Sequence, residues 1–416
     1  MTGTVNMRET IDKHILRNGL VLLGERMEAV ESAAFVFMVP AGAARLPEGC
    51  SGAGNVVIDW VFRGAGDKDS RQLGDALDGL GLHRASAVKS AHIIIGGTLE
   101  ASNLAEALKL YADIITKPRL EQEQFEPARQ LAMDGVLALD DDPRQKVGLI
   151  VREKFYAGPL GRSPVGNIED LKALTAERTR RIIQNGFNLS DTIFAVAGKY
   201  DFDSIIRQFE DSFETEQQER LAPVKSGSKG DRYTHVSNEG AQVHIGIMTG
   251  TVTVNDDDYY NARAAISVLS GGMSARLFTE VREKRGLCYA IGARYHTLKE
   301  AAGVMCYAGT TPDKAQETLD VITAEFNRLS EGMSEEEIGR AKVGLKSSLI
   351  LQSESSSSRA GGIANDHYLL GRVRSLDEIK AKIEEASVDS VLGFLRANKF
   401  EGFTVVTIGP QEVMVK

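Results

Sequence analysis

The chain is 416 residues long, 42% hydrophobic and 26% charged, with a net charge of −9 and a pI near 5.5. That length suits two to three domains of ordinary size, and that balance suits a globular protein with a sizeable core. The acidic balance argues against a nucleic-acid binder, which relies on a basic face, and no apolar run reaches the roughly 18 residues of a membrane span. The three cysteines, Cys50, Cys288 and Cys306, make neither a disulfide framework nor a zinc-ribbon spacing, and each reads as a small buried apolar residue. The opening residues lack the basic-then-apolar order of a signal peptide, so the cytoplasm is the expected location.

In chain order, Ala91–Ile95 reads as a buried strand closed by Gly96-Gly97-Thr98. A helix follows with Leu104, Leu108, Tyr111 and Ile115 on one stripe, ended by Pro118. Another begins near Gln122 and runs through Phe125, Arg129 and Met133 toward Asp140-Asp141-Asp142-Pro143. The polar, aperiodic stretch Glu214–Arg232 reads as a linker. Beyond it, Gln242–Ile247 alternates as a strand does, and Val304–Ala308 reads as a second buried strand before Gly309-Thr310. Ala315, Leu319, Ile322, Phe326 and Leu329 then form a helical stripe, and Met333–Ile338 starts a further capped helix.

The order repeats at a fixed distance. Gly97 and Gly309 lie 212 residues apart, and Phe125 and Ile338 lie 213 apart, which points to an internal duplication. The expected architecture is α+β. Residues 1–213 and 233–416 form two duplicated domains joined by 214–232, each a mostly antiparallel sheet with helices on one face, facing each other across a cleft. The run Ser353–Arg359, before Ala360-Gly361-Gly362, reads as a flexible interruption of a helix.

Two segments carry a specific resemblance. The first is Arg17-Asn18-Gly19-Leu20-Val21, continued by Pro40-Ala41-Gly42-Ala43, Glu48-Gly49-Cys50-Ser51-Gly52 and Phe62-Arg63-Gly64. The second is Gly271-Gly272-Met273-Ser274-Ala275-Arg276-Leu277-Phe278, continued by Val281-Arg282-Glu283-Lys284-Arg285-Gly286-Leu287-Cys288-Tyr289. Together they resemble the M16, pitrilysin-type zinc peptidases from about Ile15 to Gly409, and the second segment is the more specific.

The resemblance implies an inverted zinc site, in which H-x-x-E-H on a helix gives two histidine ligands and a glutamate base, and a later glutamate completes the set. Laid over that pattern, Asn55 and Asp59 fall at the two histidine positions, Ile58 at the base and Gly135 near the later ligand, with Asp134 its only acidic neighbour. Isoleucine accepts no proton, glycine offers no side-chain donor, and zinc prefers histidine and cysteine to the pair that remains. The resemblance therefore implies a degenerate member, with no cofactor in this chain.

The second segment departs from the family in nothing comparable. There, an arginine and a tyrosine at the positions of Arg282 and Tyr289 reach toward the substrate, the tyrosine donating to a developing oxyanion. Read without the resemblance, Arg282 joins a surface ion cluster with Glu280 and Glu283, and Tyr289 is a half-buried strand aromatic. Gln242 and His244 neighbour the substrate groove in the resemblance; alone, His244 reads as a satisfied sheet histidine. His83 and His92 with Asp59 make a weaker metal candidate, since nothing in their spacing demands one. The implied role is the non-catalytic subunit of a heterodimeric peptidase. Its expected partners are a homologous H-x-x-E-H chain that holds the zinc and peptide substrates, with neither nucleic acid nor membrane among them. An assembly scaffold and a peptide-binding clamp are the alternatives.

Overall fold

The Asn18-Gly19 turn starts the fold. Gly19 has φ +95°, a conformation open to glycine at little cost. The Asn18 side chain donates to Phe213 O at 2.7 Å and accepts from Leu20 N. A Cβ at Gly19 would meet the backbone of Ser190. The turn is thus tied to distant chain on both sides. The computed structural model describes residues 11–156, 158–213, 216–224, 230 and 232–415, so part of the 214–232 stretch lies outside the described residues.

The main strands of the first half are β1 (Ile11–Ile15), β2 (Val21–Arg26), β3 (Ser32–Val39), β4 (His83–Val88), β5 (Ile93–Glu100) and β6 (Ile193–Gly198). Its main helices are α1 (Ala53–Val61), α2 (Leu104–Thr116), α3 (Gln122–Leu137), α4 (Pro143–Tyr156) and α5 (Ala176–Gly186). The second half contributes β7 (Tyr233–Ser237), β8 (Val243–Thr251), β9 (Cys288–Thr297), β10 (Ala302–Thr310), α6 (Ala315–Arg328), α7 (Glu335–Ser353), α8 (Ser356–Leu370) and β11 (Thr404–Gly409). Strand β5 does not close at Gly96-Gly97 but continues through them. Opposite them β3 comes so close that a Cβ at Gly96 would strike Phe35 O.

By contacts the chain divides into two compact units. The first comprises residues 1–136, 164–224 and 352–375, and the second 137–163, 225–351 and 376–416. In the first unit a six-stranded sheet has the order β1-β2-β6-β3-β5-β4. Only β2 and β6 pair in parallel there; the other neighbours are antiparallel. In the second unit a five-stranded sheet has the order β9-β10-β8-β11-β7, with β11 and β7 its single parallel pair. The α+β class and the mostly antiparallel sheets expected from the sequence are therefore the observed ones. All three cysteines are buried and unbonded to one another.

The central strands of each sheet are buried on both faces. In the first unit Phe35, Phe37 and Phe194 pack on one side against α1, α2 and neighbouring helices, with Trp60 and Tyr111 among them. The other side, Val21, Leu23, Val36, Met38 and Ala195, is covered by Ala360, Ile363 and Ala364 of α8. The second unit mirrors this. Met248, Met305, Val406 and Ile408 are covered by Val147, Val151 and Phe155 of α4. Thus α8 comes from late in the sequence to the first unit, and α4 from early in the sequence to the second.

The Ser353–Arg359 run is in part a helix end and in part a helix start. Helix α7 stops at Ser353, and Ser355 accepts from Ser358 N to cap α8. One turn in, Arg359 Nε donates to Glu25 Oε1 at 2.8 Å, with both side chains buried. Arg359→Ala would leave the Glu25 carboxylate buried without a partner. The expected loss is about 3–5 kcal/mol, read as a lower denaturant midpoint. Glu25→Gln with Arg359→Met should recover most of it; a loss below about 1 kcal/mol for Arg359→Ala would show that the pair does not hold α8 in place.

Candidate functional site

The first unit brings Asn55, Ile58, Asp59 and Gly135 together. Helix α1 begins at Gly52, which has φ +89°, on a turn held by Ser51 N donating to Asp170 Oδ2 at 2.8 Å. Its inner face, Val56, Val57, Trp60 and Val61, is buried, and Trp60 Nε1 donates to Glu121 O at 3.0 Å. That anchoring turns Asn55, Ile58 and Asp59 toward a pocket of about 520 Å³. Arg84–Ala87 of β4 and Leu131, Ala132 and Gly135 of α3 line the rest. Strand β4 is the edge of its sheet, and His83–Ser86 are exposed.

The chemistry of that pocket does not suit zinc. Asn55 donates its amide to Pro164 O at 2.8 Å, and Asp59 is ion-paired with Arg63 one turn along the same helix. Arg63 in turn donates to Gln124 Oε1 at 3.1 Å. Both positions that could have offered a donor are therefore engaged elsewhere, Ile58 offers none, and nothing lies within 4 Å of where a Gly135 Cβ would be. Among the described residues, no group of three or more His, Cys, Asp and Glu could hold a metal ion. His83 and His92 do not join Asp59: His83 is on exposed β4, and the buried His92 ring stands edge-on to Tyr368.

The second unit assembles a different set. Gln242 precedes β8, and Tyr289 sits at an irregularity where β9 shifts register between Cys288 and Ala290. The Tyr289 hydroxyl donates to Gln242 Oε1, and the residue is 44% exposed. His244 and Gly309 are paired across β8 and β10. A Cβ at Gly309 would meet the hydroxyls of both Tyr289 and Tyr307, so the glycine makes room for two phenols side by side. His244 Nδ1 lies 2.9 Å from Tyr307 Oη, and Arg144 stacks over the Tyr307 ring at 5.0 Å.

The structure brings Gln242, His244 and Tyr289, singled out from the sequence, together with Tyr307 and Arg144, which were not. Alternation in β10 does set Tyr307 on the face opposite Cys306, but only the strand register shows that it meets His244. Burial pushes the Tyr307 phenol up to about 12, and burial likewise raises Tyr289. Both are protonated donors at neutral pH.

Arg282 lies on a π-helical turn, Phe278–Glu283, whose start has no side-chain cap. Among the described residues it pairs with no acidic side chain. Glu280 pairs with Lys284 and Arg285, while the exposed Arg282 guanidinium stacks on Phe278 at 4.9 Å. Burial raises the Cys288 thiol and the Arg282 charge opposes it, which puts the guanidinium near the residue that precedes Tyr289.

His244 should titrate below its ordinary 6.5, because burial disfavours the charged ring more strongly than Asp142 favours it. With the folded value the lower one, the unfolded chain takes up this proton first as the pH falls. The group has no effect on stability above about 6.5 and reduces stability progressively below it. A ring-proton NMR titration of the His244 signal checks this; a midpoint at or above 6.5 would contradict the assigned burial.

Comparison with known proteins adds the following. Residues 173–345 match the family model described as the peptidase M16 inactive domain. An uncharacterised zinc protease of Rickettsia felis is 26% identical over 417 residues, covering 98% of this chain and 99% of its own. One of Streptomyces coelicolor is 25% identical, covering 96% and 90%. Among solved structures, a peptidase M16 inactive domain from Pseudomonas fluorescens superposes with a TM-score of 0.88 at 16% identity, covering 98% of this chain and 99% of that one. A chain of complex III from Candida albicans superposes with a TM-score of 0.85 at 18% identity, covering 96% of each.

Proposed function

We propose that the chain is a member of the M16 peptidase family, as its match to the inactive-domain model and its likeness to zinc proteases support, and that it serves there as the non-catalytic, substrate-contacting subunit of a heterodimeric zinc peptidase. The observation that carries this reading is the state of the α1 pocket. The positions where the family places its ligands and base are filled by an amide engaged with Pro164, an apolar side chain, a carboxylate engaged with Arg63, and a glycine. No step of metal chemistry can be routed through these residues.

What this chain contributes is on the second unit. Tyr289 is a partly exposed, protonated phenol at neutral pH, and its hydroxyl donates to Gln242 Oε1. A peptide carbonyl can replace that acceptor, so the hydroxyl is available to a developing oxyanion when a partner supplies the water and the metal. Arg282 stacks on Phe278 and has no ion pair among the described residues, so its N–H donors can meet a backbone carbonyl of the substrate. Gln242 and His244 hold the two tyrosines of this cluster, Tyr289 and Tyr307. No helix among the described residues is long and apolar enough to cross a membrane.

A scaffold role in a larger assembly is the second reading, favoured by the fold likeness to a chain of complex III. The two differ in what Arg282 and Tyr289 do. Mixed with an H-x-x-E-H homologue, this chain should confer peptide cleavage. Arg282→Ala or Tyr289→Phe in this chain should then lower kcat/KM by on the order of 100-fold without dissociating the pair. Full activity of the double variant in an intact complex would remove the substrate role and leave the scaffold.

A further inference from the structure

We propose that the first unit carries a binding site for a carboxylate on a compact apolar body, separate from the α1 pocket and independent of the reading above. The site is a pocket of about 420 Å³, a volume suited to a small ligand. Its polar lining is dominated by three arginines, Arg45, Arg178 and Arg181, and its walls include Leu46, Ile182 and Leu221.

The charges here are not balanced from within. Arg45 Nη1 donates to Ala222 O at 3.0 Å, while its Nε is buried and has no hydrogen-bond partner. Arg178 donates to Glu48 O at 2.6 Å and Gly49 O at 3.3 Å, both neutral carbonyls. Arg181 alone has a carboxylate, the exposed Glu177. Asp191 is occupied in accepting from Leu221 N at 2.6 Å. Among the described residues neither Arg45 nor Arg178 has a carboxylate at ion-pairing distance. A buried guanidinium N–H without an acceptor is costly, and a polar group brought to it would relieve that cost.

The geometry of the walls narrows the class. A guanidinium presents a planar fork that matches a carboxylate through two parallel N–H bonds. A phosphate dianion needs more donors than one uncommitted guanidinium edge supplies, and it gains nothing from leucine and isoleucine walls. An acyl amino acid, or the last residue of a peptide ending in an apolar side chain, satisfies both parts. The pocket is also held open by its own framework. Residues 216–224, which supply Leu221 and Ala222, are fastened by Asn188 Nδ2 to Glu219 O at 2.8 Å and by Gln218 Oε1, which accepts from Leu189 N at 2.9 Å.

The test is calorimetric titration of the full chain with N-acetylleucine and, separately, with N-acetylleucinamide. The acid is expected to give a saturable isotherm with affinity at least about tenfold above that of the amide, and Arg45→Gln is expected to weaken the acid about tenfold. Asn185→Trp, an exposed substitution at the pocket lining, is expected to block the acid while leaving every arginine and the melting temperature unchanged. Equal binding of acid and amide, no saturable binding of either, or acid binding indifferent to both variants would overturn the proposal. So would inorganic phosphate displacing the acid at equal concentration, since the site would then be one for anions in general.

Discussion

Both sheets of this protein are apolar on two faces, and covering the second face takes a helix from the other end of the sequence. In the first unit that helix is α8, seated by Ala360, Ile363 and Ala364; in the second it is α4, seated by Val147, Val151 and Phe155. Without these helices each unit would expose a sheet face of valine, methionine, isoleucine and alanine, a larger apolar area than a soluble surface tolerates. Other features follow from this exchange. The buried Glu25–Arg359 pair fixes where α8 meets β2. The first turn of α4 carries Arg144 over Tyr307, beside His244. Packing that completes the second core thus also shapes the phenol cluster.

The same economy explains how the α1 pocket keeps its form whatever side chains face into it. The helix is held from its inner face by Trp60 and its neighbours, and from its start by the Gly52 turn and Asp170. None of these contacts involves the outward residues at 55, 58 and 59. Substitution there costs little in stability, and Asn55 and Asp59 have local partners in Pro164 and Arg63. The pocket beside the free edge of β4 survives with its walls intact.

Much of this was legible in the sequence, where local pattern and structure agree. The duplicated strand–helix order reappears as β5, α2 and α3 against β10, α6 and α7. The gathering of Asn55, Ile58, Asp59 and Gly135 in one pocket was implied by family resemblance alone. What escaped notice depends on contacts between residues far apart in sequence. The run Ser353–Arg359 reads as an interruption, yet from Ser356 on it lies inside α8, and so do Gly361 and Gly362. Its Ser355 cap, its ion pair with Glu25 and its small packed residues outweigh their low helix propensity. Tyr307 and Arg144 could not be joined to His244 before the register of β8 with β10 and the docking of α4 were known. The arginine pocket had no motif at all, since its charges come from residues 45, 178 and 181.

The central claim is that this chain has no catalytic metal site of its own. The most direct measurement is the zinc content of the purified chain by elemental analysis, after incubation with zinc and removal of the excess, with peptidase activity assayed on the same sample. The account predicts substoichiometric zinc and no cleavage. One firmly held zinc per chain, with cleavage by the chain alone, would contradict it.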